Sequence, residues 1–107
     1  MLSTHVLDLA RGVPAPGISV ALHRLFGEHR MHVASAVTDA DGRAGMPEPL
    51  EAGTYELVFT AGPYVRARGD VPFYDEIPVR FSVDATAERY HVPLLLSPFG
   101  YTTYRGS

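Results

Sequence analysis

The amino-acid sequence predicts an all-β sandwich, formed as a single domain over residues 1–107. Apolar and polar residues alternate with period 2 in four separate segments, as half-buried strands of antiparallel sheets do. Ten Gly and nine Pro punctuate the chain at short intervals, which suits turns between strands. Only residues 62–69, bounded by Gly62 and Gly69, offer a helical turn or two. A chain of this size buries roughly two-thirds of its unfolded surface, and oligomerisation would add to its stability.

Residues 5–9 form the first expected strand. The second carries Ile18, Val20 and Leu22 in alternation with Ser19, Ala21 and His23. In the third, Met31, Val33, Ser35 and Val37 alternate with His32, Ala34, Ala36 and Thr38. Thr38-Asp39-Ala40-Asp41-Gly42-Arg43 is a turn: both Asp side chains can bond nearby backbone, and Gly42 can supply a positive φ. Tyr55, Leu57 and Phe59 mark the fourth strand, and Ile77, Val79, Phe81 and Val83 the fifth. Residues 90–96 give a sixth that holds Pro93, which cannot donate to a ladder, so this segment needs an edge or a bulge. A short last strand covers residues 101–104. Seven or eight short strands in all point to a sandwich. The last seven residues, Tyr101-Thr102-Thr103-Tyr104-Arg105-Gly106-Ser107, are too aromatic for a frayed tail and are expected to be docked.

Composition removes several chemistries. There is no Cys, hence no disulfide, thiolate nucleophile or cysteine-ligated zinc. All nine basic residues are Arg, so lysine-based covalent catalysis is out. A net charge of −3 with interspersed signs argues against a nucleic-acid partner. No apolar stretch approaches the ~20 residues of a membrane span. Met1-Leu2-Ser3-Thr4-His5-Val6 lacks the basic start and long apolar run of a signal peptide, and the expected location is cytoplasmic.

The remaining candidates centre on five histidines. His23 and His32 fall on the polar phase of strands and His29 lies in a hairpin region, so all three read as solvated surface. His29 and His32 do not read as a metal site, since residues three apart on a strand face opposite ways. The 39–42 turn resembles the start of a calcium loop, but Ala44, Met46 and Pro47 stand where acidic ligands belong. No metal or cofactor is expected. His5 and His91 sit in mostly apolar strands. Each could be a core histidine satisfied by a carbonyl. Alternatively, together with Arg43 and the docked tail they could form a pocket for a carbonyl-rich heterocycle. There Arg43 would polarise carbonyl oxygens and an imidazole would activate water.

Three segments carry a family resemblance: Leu2-Ser3-Thr4-His5-Val6-Leu7-Asp8, the 38–43 turn, and Tyr90-His91-Val92-Pro93-Leu94-Leu95-Leu96-Ser97-Pro98 continuing through Gly100-Tyr101 to Tyr104-Arg105-Gly106-Ser107. In order and spacing the chain resembles the 5-hydroxyisourate hydrolases of the transthyretin-related family. The closing Tyr-Arg-Gly-Ser is what separates these enzymes from transthyretin itself. The resemblance implies a transthyretin-like (prealbumin-like) sandwich of two four-stranded sheets, with residues 62–69 as its one short helix. It implies a homotetramer, a dimer of dimers, with active sites at the dimer–dimer interface. The implied reaction opens a cyclic amide of 5-hydroxyisourate to give 2-oxo-4-hydroxy-4-carboxy-5-ureidoimidazoline. His5, Arg43, His91 and Ser107 match the catalytic set, His5 and Arg43 also bind substrate, and Tyr104 lies in the substrate-binding tail. The segment Phe73-Tyr74-Asp75-Glu76-Ile77-Pro78 departs from the aromatic-rich pattern of the family. The main alternative is a non-catalytic transthyretin-like carrier, whose channel should be lined by apolar residues and hydroxyls. A third reading is an immunoglobulin-like interaction module, monomeric and without a pocket.

Overall fold

Strand β1 (Leu2–Asp8) is the hub of the fold in the computed structural model, which describes residues 1–84, 87 and 89–107. Its burial alternates strictly: Leu2, Thr4, Val6 and Asp8 face the core, while Ser3, His5 and Leu7 face outward. A two-residue β2 (Val13–Pro14) folds back antiparallel on its end. Further along come β3 (Ser19–Phe26), β4 (His29–Val37), β5 (Arg43–Met46) and β6 (Gly53–Thr60). After helix α1 (Gly62–Ala67) follow β7 (Glu76–Val83), β8 (Tyr90–His91), β9 (Leu94–Ser97) and β10 (Gly100–Thr103).

One sheet has the order β4-β3-β6-β7, antiparallel throughout. The other is built on β1, which pairs antiparallel with β5 and parallel with β8 and β9, while β10 closes the far side on β9. β8 and β9 form one lane beside β1, interrupted at Val92 and Pro93, so this sheet also has four lanes plus the β2 hairpin. The expected edge or bulge at Pro93 is thus a break within an interior lane. Val92 N–H donates to Ser3 O at 2.9 Å before the break, and Thr4 Oγ1 donates to Val92 O at 2.6 Å.

The two inner faces bury Leu2, Val6, Leu94 and Leu96 against Leu22, Leu57, Phe59 and Ile77, each 2 % exposed or less. Removing such apolar surface from water is the main stabilising force, about 1.5–3 kcal/mol for each large side chain. The buried polar residues Thr4, Asp8, Thr38 and Glu56 are paired. Tyr64 on α1 donates to Asp8 Oδ2 at 2.8 Å, and Thr38 Oγ1 donates to Ala15 O while accepting from Ile18 N–H. The segment that departs from the family pattern has a local job: the Asp75 carbonyl accepts from Ala61 and Gly62 N–H at the start of α1, which has no side-chain cap.

Several features differ from the sequence expectation: β1 begins at Leu2 where residue 5 was expected, and β2 was not foreseen. β5 was not expected, because four residues containing a glycine and followed by proline give no periodic signal. His23 is half-buried, packed edge-on to His32 with centroids 5.5 Å apart, and its Nδ1 has no hydrogen-bond partner. A register shift between Leu22 and His23 turns the ring toward its neighbour. Burial first, then Arg30 and His32, lowers its pKa below the usual imidazole value.

Candidate functional site

The outward face of the β1 sheet carries the chemistry. Ser3 and His5 lie two residues apart on that face. Ser3 is the parallel partner of His91 on β8, and His5 is the antiparallel partner of Arg43 on β5. Three strands therefore bring His5, Arg43 and His91 together through ladder register alone. The 39–43 turn sets the ends: Asp39 Oδ1 accepts from Asp41 and Arg43 N–H at 2.9 and 3.0 Å, and Gly42 takes φ +75°. Asp41 O in turn accepts from His5 Nε2 at 2.9 Å, which fixes that ring.

The tail supplies the fourth side. Gly106 forms a bridge to His91, its N–H donating to His91 O at 2.8 Å. The expected docking of the tail is what the structure contains. Gly106 packs so closely that a Cβ there would lie 2.5 Å from His91 Cδ2. Arg105 lies over the Tyr90 ring, 4.7 Å from its centroid. A cavity of about 420 Å3 results, lined by Ser3, Arg43, Arg89, His91, Arg105, Gly106 and Ser107.

Of the residues singled out in the sequence, Arg43, His91 and Ser107 line this cavity. His5 adjoins it as the cross-strand neighbour of Arg43. Tyr104 lines the adjacent groove between the tail and β7, with Val79, Phe81 and Tyr90, and Arg105 borders both spaces. A third groove, about 400 Å3, on the outer face of the other sheet is lined largely by small side chains such as Ser19, Ala21 and Val37.

His91 is the group best placed to handle a proton. Its Nδ1 is 2.8 Å from Ser3 Oγ. Burial, then Arg43, lowers its pKa below the usual imidazole value; a hydrogen bond with the Ser3 backbone pulls it part of the way up, and His5 adds a still smaller lowering. At neutral pH the ring is therefore uncharged and able to accept a proton. Arg43 presents donors beside it. A neutral base and a guanidinium facing one cavity suit attack of water on a carbonyl.

Ser3, Arg89 and Arg105 had not been singled out as site residues. Ser3 could have been found from its i, i+2 relation to His5 on one strand face. Arg89 carries no comparable signal, because its placement depends on where β8 begins.

The profile of the HIUase/Transthyretin family matches residues 2–106. The 5-hydroxyisourate hydrolase of Mesorhizobium japonicum is 51 % identical over 114 residues, covering 99 % of this chain and 91 % of that protein. The solved 5-hydroxyisourate hydrolase of Klebsiella pneumoniae superposes with a TM-score of 0.86 at 36 % identity, covering 99 % of this chain and 98 % of the other. The transthyretin of Sparus aurata superposes at 0.90 with 29 % identity, covering 98 % and 95 %.

Proposed function

This chain belongs to the HIUase/transthyretin family, and from that membership we propose that it is an enzyme, a hydrolase of 5-hydroxyisourate. The observation that carries the reading is the convergence of an uncharged, half-buried His91 with Arg43 and the tail in one polar cavity. The reaction opens a cyclic amide of 5-hydroxyisourate and yields 2-oxo-4-hydroxy-4-carboxy-5-ureidoimidazoline, as a step of urate breakdown. His91 removes a proton from water while the water oxygen bonds to the amide carbon. Arg43 donates to the carbonyl oxygen as it becomes an oxyanion. The carbon–nitrogen bond then breaks, the ring nitrogen takes the proton back from His91, and a carboxylate is left. His5, held by Asp41 O, supports His91 and contacts substrate. Ser107 orients the water or the histidine, and Tyr104 contributes to binding from the tail. None of these steps calls for a metal or an organic cofactor.

The site is open on one side, which supports a homotetramer in which a second dimer covers the outward face of the β1 sheet. In this reading the active sites lie at the dimer–dimer interface and the enzyme works in the cytoplasm. A carrier role is the weaker reading, since the cavity presents three guanidiniums and an imidazole where apolar walls would serve a passive ligand.

The test generates 5-hydroxyisourate from urate immediately before use and follows its ultraviolet decay. Wild-type protein should accelerate the decay, and His91→Ala should abolish the acceleration while sedimenting as the same folded tetramer. Decay at the uncatalysed rate with wild-type protein would overturn the hydrolase reading.

A further inference from the structure

Three arginines line the cavity of about 420 Å3: Arg43 from β5, Arg89 at the entry to β8, and Arg105 from the tail. Among the described residues none of the three forms a salt bridge, although Arg11, Arg24, Arg30, Arg66 and Arg80 all do. The chain as a whole is acidic, at −3, yet three of its nine basic residues face one space. None of the described lining residues is Asp or Glu, and the acidic group beside Arg43 is Asp39, in the turn outside the cavity. Arg105 is held in place, stacked on Tyr90 and anchored by the adjacent Gly106 bridge. Like charges gathered without counter-charges attract an anion and focus its approach. Arginine suits this task because its fork of donors matches carboxylate and ionised amide geometry.

We infer that Arg89 and Arg105, with Arg43, form an anion-binding ring, so that the enzyme takes its substrate as the ionised heterocycle and Arg89 determines that preference. The inference rests on the hydrolase reading for the identity of the substrate, not for the existence of the anion site. The ring also fits the reaction's course: amide hydrolysis ends with a new carboxylate, which Arg89 and Arg105 receive at the mouth of the cavity. Arg89 is exposed and lies outside the core, so it can be replaced without disturbing the fold.

The experiment has two arms. In the first, steady-state decay of 5-hydroxyisourate is measured at low and high ionic strength for wild type, Arg89→Gln and Arg89→Lys. Arg89→Gln should raise KM about five-fold at low salt with kcat within two-fold, the size expected of one partly solvated charge. Arg89→Lys, which keeps the charge but loses the fork, should fall between the other two, and all three should converge near ~0.5 M salt, where screening is short-ranged. In the second arm, inorganic sulfate is titrated without substrate while the His91 ring resonances are followed by NMR. Sulfate should shift them in wild type and bind at least three-fold more weakly to Arg89→Gln. Wild type that turns over normally, with Arg89→Gln unchanged in KM and in sulfate binding, refutes the anion ring. Sulfate binding that depends on Arg89 in a protein without turnover upholds the ring and rejects the hydrolase reading.

Discussion

Replacing Gly106 with alanine tests whether the tail positions His91. A Cβ at residue 106 would stand 2.5 Å from His91 Cδ2, 3.3 Å from His91 Cγ and 3.2 Å from Pro93 Cγ. Carbon atoms pack comfortably at about 3.5–4.0 Å, so the ring or the tail must move by about 1 Å. Pro93 borders the same space, and the Gly106 N–H to His91 O bond ties the two backbones, so the imidazole takes much of the shift. A displacement of that size lengthens the 2.8 Å Ser3 Oγ to His91 Nδ1 contact beyond hydrogen-bonding range. Misplacement of about 1 Å at a reacting group costs roughly 100-fold in rate. Gly106→Ala should therefore lose about two orders of magnitude in kcat/KM on freshly generated 5-hydroxyisourate. The far-UV circular dichroism should be unchanged, because the contact lies at the tail, outside the two-sheet core. Gly100→Ala is the matched control: its Cβ would meet only Ser97 Oγ at 3.5 Å, and its activity should stay within two-fold of wild type. Wild-type turnover by a folded Gly106→Ala variant would refute the claim that the tail sets the histidine.

Three further outcomes are expected. Ser3→Ala removes the partner of His91 Nδ1 and should lower kcat about ten-fold with little change in KM, while 15N NMR of the ring reports a mixture of tautomers. Because burial, Arg43 and His5 hold the His91 pKa down, the acidic limb of kcat/KM should fall below the 6.5 of a free imidazole, and Arg43→Leu should move the NMR-titrated value of His91 upward. A limb above 6.5 in wild type would count against His91 as the base. Gly42→Ala is strained twice over, by φ +75° and by a Cβ 2.5 Å from Val6 O; urea unfolding should show a loss of about 2 kcal/mol or more.

The sandwich was legible because its long strands each have one wet and one dry face, so Val20, Leu22, Leu57 and Phe59 betray their roles by spacing alone. Two short pieces were not. β2 and β5 are held by their neighbour β1 and carry too few residues to show a period. The same limit applies to the site. His5, Arg43, His91 and the tail could be picked out by residue type and by family resemblance, but their adjacency follows from register: Ser3 beside His91, His5 beside Arg43. Ser3 went unselected because the expected first strand began at residue 5, which left its i, i+2 relation to His5 unused. His23 shows the converse error. Its place on the polar phase suggested water, yet one extra residue on β4, Val33, sets His32 directly opposite it.

The parallel pairing of β1 with β8 and β9 has a consequence for synthesis. β1 must wait for partners some 85 residues later, roughly 4–17 s at ordinary translation rates. Throughout that interval Leu2 and Val6 lack the lane that covers them in the finished molecule, and the nascent chain offers an open edge to its neighbours on the polysome. In the proposed mechanism no product that stops short of residue 91 can turn over substrate, since it lacks the His91 imidazole. Any catalytic signal from a translation reaction would thus count only chains that extend past His91.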